Sequence, residues 1–164
     1  MNSQIGRVES LHLHPPVAGE PFVDVAEVFA EEGTGLAGDS RVFGKKGRDG
    51  KPSKRQVTLI AREQIAEHVQ ALKLSGIPAG VVRSNMETNG IDLMAMMGRE
   101  VKVGEAVLYF CEPRTPCRKM DLIAPGLQAA MALGRQGVLA QVVRSGKIKI
   151  GDEIRILETP ARAR

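Results

Sequence analysis

Cys117 is the residue of this sequence best placed for chemistry, because it lies in the run Glu-Pro-Arg-Thr-Pro-Cys-Arg-Lys at 112–119, among three cations. Cationic neighbours favour the thiolate, the form of cysteine that attacks, binds a soft metal or carries sulfur. Two interpretations stay open, a reactive thiol and a half-exposed thiol in a polar loop. Cys111 alternates with Val107 and Tyr109, which predicts a small apolar residue packed in a strand.

Two other groups of residues could do chemistry, and the sequence assigns neither. His12 and His14 alternate along the first predicted strand, but no third ligand is at hand, so we expect ordinary strand residues. The irregular stretch 31–55 is rich in glycine, lysine and arginine. It does not fit a nucleotide P-loop, because Pro52 replaces the Ser or Thr that should follow the lysine. A solvated loop and a basic flap over an anionic ligand both stay open.

Length and composition predict one cytoplasmic domain spanning 1–164, with a core at about 5–157 and a flexible tail at 158–164. Two cysteines are too few for a disulfide framework, no signal peptide is visible, and no apolar stretch is long enough for a membrane span. The 23 Lys and Arg exceed the 19 Asp and Glu by only four charges, and Trp is absent. The small excess favours anionic ligands but is below that of strong nucleic-acid binders, and the scarcity of aromatic residues argues against a base-stacking surface, so we do not expect nucleic acid as a partner.

The elements that must position these residues are mostly strands. Eighteen glycines and nine prolines separate short runs of Val, Ile and Leu, a pattern typical of a mainly β, α+β domain with a few helices. Gly-acid pairs at Gly104 and Gly151 predict tight turns of a barrel. We expect helices at 61–74 and 127–133. The predicted strands are 5–14, 23–29, 56–60, 81–86, 100–103, 106–111, 138–144 and 153–157.

Several ordered landmarks resemble the MOSC domain, which is named for the C-terminal domain of molybdenum cofactor sulfurase. The resemblance spans roughly residues 5–157 and rests on the order of its motifs. It implies a β-rich, barrel-like fold that binds molybdenum cofactor or carries sulfur toward it. The landmarks are Gly-Leu-Ala-Gly-Asp at 35–39, Lys-Arg-Gln-Val-Thr-Leu-Ile at 54–60, Arg-Ser-Asn at 83–85, Gly-Ile-Asp-Leu at 90–93, Gly-Arg-Glu-Val-Lys-Val-Gly at 98–104 and Pro-Cys at 116–117.

The resemblance also implies roles for individual residues. Cys117 matches the family cysteine and would carry sulfur or bind molybdenum, for which a thiolate is a suitable soft ligand. Arg83 and Asn85 match an Arg-x-Asn element; on one strand they would share a face, with the arginine fork on the cofactor phosphate and the amide on the pterin.

Four more positions match family landmarks that could contact the cofactor. Lys54, Arg55 and Gln56 match the Lys-Arg-Gln element, which could contribute charge to the site. Asp39 matches the Gly-Asp landmark, for which a turn-capping carboxylate is the structural alternative.

Three functions remain open at this stage. The chain could bind molybdenum cofactor or carry sulfur to it, supplied by a cysteine desulfurase or another sulfur donor. It could be a reductase component for N-hydroxylated compounds, using the same cofactor and a separate redox partner. It could be a polyanion-binding or RNA-binding barrel without chemistry. Larger family members carry a pyridoxal-phosphate domain, for which 164 residues leave no room.

Overall fold

The computed structural model describes residues 4–158, so the tail predicted at 158–164 lies almost wholly outside the described residues. The described chain is mainly β with three helices, as predicted. The helices are α1 (Arg62–Ala71), α2 (Met120–Ile123) and α3 (Leu127–Ala130), with a 3-10 turn at Met94–Met96. The strands are β1 (Gly6–Leu13), β2 (Val23–Val25), β3 (Glu27–Glu31), β4 (Gly35–Leu36), β5 (Val57–Ala61), β6 (Met86–Asn89), β7 (Glu100–Val103), β8 (Ala106–Pro113), β9 (Val138–Arg144), β10 (Gly146–Lys149) and β11 (Glu153–Ile156).

Seven strands form a closed barrel in the order β11-β7-β8-β9-β5-β6-β1. The barrel closes where β1 pairs antiparallel with β11, Gly6 opposite Ile154 and Arg7 opposite Glu153. β2 continues the sheet beyond β1, and β10, β3 and β4 form a separate three-stranded sheet. The predicted barrel-like fold is therefore confirmed.

The sequence of β5 is almost continuously apolar because both faces of this strand are covered. Val57 and Leu59 point into the barrel core, whereas Ile60 points outward and packs under the helices with Ile65 of α1. All five residues of β5 are buried. A strand covered on both faces needs apolar side chains on both, which removes the alternation typical of a half-exposed strand.

The helices form a second hydrophobic layer on the outside of the barrel. Ile65 of α1, Met120 of α2, and Leu127 and Met131 at α3 are buried together. Within residues 4–158, no helix has the length and apolar character needed to cross a membrane.

Several predicted element boundaries were wrong, each for a local reason. Residues 81–85 form turn and irregular structure, and the strand begins only at Met86. The predicted strand 23–29 breaks at Ala26 into β2 and β3, which belong to different sheets. The helix predicted at 127–133 is α3, which ends at Ala130. Leu133 has a left-handed φ of 59°, which is incompatible with a continuing helix. The sequence reasoning also missed β4, β10 and α2.

The two predicted turns differ in what they connect. Gly104 (φ 58°) starts the two-residue turn between the paired strands β7 and β8. Gly151 (φ 91°) instead links β10 in the small sheet to β11 in the barrel, so it is not a hairpin turn.

Candidate functional site

A cavity of about 500 Å³ opens beyond the end of β1, and we call it the cationic pocket. Its charged walls are Arg41, Lys45, Arg55 and Arg83, and His14 contributes an imidazole. None of its described lining residues is a carboxylate. Four cations without a lining acid make this a site for an anion.

Arg83 reaches the cationic pocket from a turn, not from a strand as predicted. Its φ is 61°, and its N–H donates to the Gly80 carbonyl at 3.1 Å. The guanidinium donates to the Glu20 carbonyl at 3.0 Å and lies over the Phe22 ring, with Cζ 4.6 Å from the ring centroid. Burial lowers the pKa of Arg83, and the positive charge of Arg41 lowers it further, whereas the thiolate charge of Cys117 raises it.

The turn that carries Arg83 is fixed from behind by an ion pair between the partly exposed Arg62 and the buried Glu87. Arg62 of α1 donates to Glu87 of β6 at 2.9 Å and to the Ile77 carbonyl at 3.2 Å. The second carboxylate oxygen of Glu87, which is fully buried, accepts the Gly80 N–H at 2.8 Å. The chain leading into the turn is thus tied to α1 and β6 at Ile77 and Gly80, which fixes the start of the turn that carries Arg83.

Asp39 is a supporting residue of the cationic pocket. Its carboxylate accepts the backbone N–H groups of Arg41, Val42 and His14, and its Oδ2 lies 2.8 Å from His14 Nδ1. Burial raises the pKa of Asp39, but these hydrogen bonds together with the His14 charge lower it well below its usual range. Asp39 is therefore ionised and accepts from Nδ1–H, which leaves Nε2 of His14 as the nitrogen free for a ligand.

Asn85 lies behind the cationic pocket and does not share a face with Arg83, contrary to prediction. The amide is fully buried and donates to the His12 carbonyl at 2.9 Å and to Asp39 at 3.0 Å. Its oxygen accepts from the Thr58 N–H and hydroxyl. All of its hydrogen-bonding positions are used within the protein, so Asn85 positions Asp39.

The Lys-Arg-Gln element points in three directions. Arg55 lines the cationic pocket, whereas Lys54 lines a separate cavity together with Tyr109 and Cys111. Gln56 is buried, and its side-chain oxygen accepts the Val142 N–H at 2.9 Å. Of these three residues, the structure brings only Arg55 to the other cations.

The loop that carries Cys117 follows β8. It is anchored by the Arg114 N–H, which donates to the Gly137 carbonyl at 2.9 Å, and the Cys117 carbonyl accepts the Met120 N–H at the start of α2. Cys117 is exposed and does not itself line the cationic pocket. It is nevertheless close enough for its thiolate charge to raise the pKa of both Arg83 and Arg114.

Cys111 lies in β8, as predicted, but not in the core. The pairing of β8 with β9 shifts between Phe110 and Glu112, so Cys111 is the extra residue of a bulge and is half-buried. A bulge bends its strand, and this one redirects the chain just before the Cys117 loop.

Three further residues of the cationic pocket, His14, Arg41 and Lys45, were assigned to no site by the sequence. The basic stretch 31–55 and the alternation of His12 with His14 were the available signals, but neither shows which side chains meet. His12 is buried and bonded to Asp24 and Ser10 at 2.7 Å each. Among residues 4–158, no three His, Cys, Asp or Glu side chains come together as a metal site.

The site therefore joins an anion-binding pocket to a neighbouring thiol. The fixed arginine fork can hold a phosphate or similar oxyanion in a defined orientation. The exposed thiol can attack an electrophile or ligate a soft metal. Neither ability by itself names a reaction.

Three solved structures have a similar fold. The YuaD protein from Bacillus subtilis is 20% identical, with 94% of this chain and 97% of that chain covered and a TM-score of 0.74. YiiM from Geobacillus stearothermophilus is 19% identical, with 93% and 75% covered and a TM-score of 0.70. YiiM from Escherichia coli is 20% identical, with 99% and 73% covered and a TM-score of 0.66. At such identities the likeness shows the fold alone.

No curated protein matches the chain. The sequence profile of the MOSC domain, however, matches residues 39–155. This span begins at the Asp39 carboxylate, includes the Arg83 turn and the Cys117 loop, and ends in β11. Because the match covers well over half of the chain and agrees with the barrel, the chain belongs to the MOSC domain family.

Proposed function

We propose that this protein binds molybdenum cofactor, with the phosphate of the cofactor in the cationic pocket and the Cys117 thiolate as a ligand of molybdenum. MOSC membership supports a role connected with this cofactor. The observation that carries the proposal is the position of Arg83, which lines the cationic pocket with Arg41 and is held there by the Glu20 carbonyl and the Phe22 ring. Arg83 is also near enough to Cys117 for the thiolate to raise its pKa. One guanidinium thus connects the anion site to the soft ligand.

The residues of the cationic pocket, together with Cys117, fit molybdenum cofactor. Arg83 and Arg41 repel each other, and a bound phosphate would relieve that repulsion while accepting hydrogen bonds from the fixed fork. A cavity of about 500 Å³ lies within the usual range for small-molecule sites. A thiolate is a soft donor suited to a sulfur-rich metal centre. Bound in this way, the cofactor would supply a redox-active metal beside Cys117.

The chain's own residues divide the work of binding. Arg83 orients the phosphate, because the Phe22 ring and the Glu20 carbonyl restrict its guanidinium. Arg41, Lys45 and Arg55 add charge that draws the anion in. Asp39, Asn85 and Gln56 act behind the pocket wall, and Lys54 has no direct role in this proposal.

A second candidate function is sulfur carriage, which the exposure of Cys117 favours. The Cys117 thiolate would attack the outer sulfur of a persulfide on a partner such as a cysteine desulfurase. The sulfur–sulfur bond of the donor breaks, the donor leaves as a thiolate, and Cys117 becomes a persulfide. No external oxidant is required.

The test is to purify the protein from a host that makes molybdenum cofactor and to measure molybdenum, pterin and intact mass. We expect molybdenum and pterin to accompany the wild type and Cys111→Ala, and to be absent from Cys117→Ala. Arg83→Lys keeps the charge but loses the fork, so phosphate should bind about 10- to 100-fold more weakly than to wild type or to Arg144→Lys.

The same samples separate the two candidate functions. A protein without molybdenum but one sulfur atom heavier at Cys117 would make it a sulfur carrier and overturn tight cofactor binding. Background molybdenum together with an unmodified Cys117 would overturn both.

A further inference from the structure

A second cavity is lined by residues 113–116, which lead to Cys117, and we call it the apolar groove. It encloses about 880 Å³ and shares no lining residue with the cationic pocket. Its walls come from the loop after β8, from α3 and from the 3-10 turn. The apolar lining residues are Met94, Pro113, Pro116, Ala129, Ala132 and Leu133.

Arg114 lines this apolar groove and lacks a partner for part of its guanidinium. Its Nε and Nη1 atoms are buried, and neither has a hydrogen-bond partner among the described residues. Burial lowers the pKa of Arg114 to about 10; Arg55 and Arg83 lower it as well, and the Cys117 thiolate opposes them. Arg114 therefore remains a cation at neutral pH.

Buried donors without an acceptor are costly, because they have lost their hydrogen bonds to water without gaining new ones. The Asp121 carboxylate also lines the groove but does not accept from these two donors; its Oδ1 accepts the Gln128 N–H at 2.9 Å. The described residues thus leave room and charge for an anion from outside the chain.

Leu133 is the second residue that indicates a ligand site in the apolar groove. Its side chain is 93% exposed, and its φ is 59°. A leucine in the left-handed region costs of the order of 1 kcal/mol or more, and an exposed one recovers none of this through burial. Glycine at this position would make the fold at least as stable, because glycine adopts a left-handed φ without strain.

We propose that the apolar groove binds a small organic anion with a flat apolar body, its carboxylate or similar oxyanion on Arg114 and its body against the wall that Leu133 completes. The proposal rests on the proposed function and names the class of molecule brought to Cys117. A bare phosphate belongs in the cationic pocket, because the strongly hydrated ion gains nothing from an apolar wall.

Two matched probes test the apolar groove on the full, cofactor-free chain: naphthoate and its neutral isostere naphthamide, titrated by calorimetry. We expect naphthoate to bind more tightly than naphthamide. Arg114→Met should weaken naphthoate about 10- to 100-fold and leave naphthamide little changed. Arg144→Met removes the same charge at the far end of the β8–β9 pair, where Arg144 lies opposite Val107, and should bind both probes as wild type does.

Leu133→Gly is a variant that should fold better and bind worse. Glycine accepts the left-handed φ, so the melting temperature should rise or stay constant, while both probes lose part of the wall and bind more weakly. Weaker binding in a protein of undiminished stability cannot be attributed to misfolding.

Three outcomes would overturn the assignment. Equal affinity for naphthoate and naphthamide would show that Arg114 does not select an anion. Unchanged naphthoate affinity in Arg114→Met together with slower alkylation of Cys117 would make Arg114 the counter-ion of the thiolate. Wild-type affinity in Leu133→Gly would remove Leu133 from the site. Because these titrations need no molybdenum, their failure in a protein that retains the metal would leave the proposed function intact, and the reverse also holds.

Discussion

At the scale of single residues, the two thiols differ in their surroundings. Cys117 is exposed beside Arg83 and Arg114, whereas Cys111 is half-buried in a bulge of β8. Solvent access and neighbouring cations both increase the reactivity of a thiol. The cysteine that matches the family pattern is therefore also the more accessible of the two.

Alkylation at neutral pH should distinguish the two cysteines. We expect iodoacetamide to label Cys117 faster than Cys111 in the folded protein, as measured by peptide mapping over time. Cys117→Ser should remove the fast phase, and Cys111→Ser should leave it. Faster labelling of Cys111 would show that the bulge, not the loop, presents the reactive thiol.

Asp39 links the cationic pocket to acid stability. A carboxyl whose folded pKa is depressed contributes stability above its unfolded pKa, about 4, and loses it as pH falls toward the folded pKa. Asp39→Asn should cost about 1 to 3 kcal/mol at neutral pH, since an amide places donors against the Val42 and His14 N–H groups.

Urea unfolding at several pH values tests this prediction. The gap between wild type and Asp39→Asn should narrow as the pH falls below about 4, because only the wild type loses the carboxylate. A gap that is constant across this range would mean that Asp39 acts through packing alone.

The sequence predicted Cys117, Arg83 and Arg55 as neighbours in one site; the structure places Arg83 and Arg55 in the wall of the cationic pocket and Cys117 on a loop outside it. The sequence could not predict that the Asn85 side chain turns inward. Residues two apart, as in Arg-x-Asn, share a face only if the segment is a β-strand. The positive φ of Arg83 breaks that assumption. Nothing in the sequence assigned His14 to a site, because its partner, Asp39, is 25 residues away.

At the scale of elements, the strands that were predicted well have either strong alternation or a long apolar run. β7 and β9 were predicted with their observed bounds. β4 has only two residues, and β10 is Gly-Lys-Ile-Lys with one buried side chain. Such short strands gain their order from the neighbouring strand β3, which local sequence does not reveal.

The two turn glycines should differ in sensitivity to substitution. Gly104→Val combines a left-handed φ with a Cβ that would lie 2.9 Å from the Lys147 carbonyl oxygen, so we expect a loss of about 3 kcal/mol or more. Gly151→Val has the same backbone strain but open space, and should cost about 1 to 2 kcal/mol. Thermal and urea unfolding measure both. Equal losses would mean that backbone strain alone decides the cost.

At the scale of the whole molecule, composition and the spacing of glycine and proline were enough to predict a β-rich, barrel-like fold. They could not predict which strands close the barrel. Closure depends on the pairing of β1 with β11, whose residues are nearly the whole chain apart. Nor could they show that the walls of the cationic pocket come from three separate segments, at His14, at 41–55 and at Arg83. Contacts of this range are set by topology and leave no local pattern.

The pairing of β1 with β11 also fixes where the outermost strands lie relative to the ligand site. Gly6 meets Ile154 at one pole of the barrel, and β1 reaches the pocket only at its other end, where His14 follows. The eight residues of β1 place these poles roughly 25 Å apart. The hydrogen bonds that close the barrel therefore lie at the pole opposite the cationic pocket, so the pocket residues at the other end of β1 take no part in closing it.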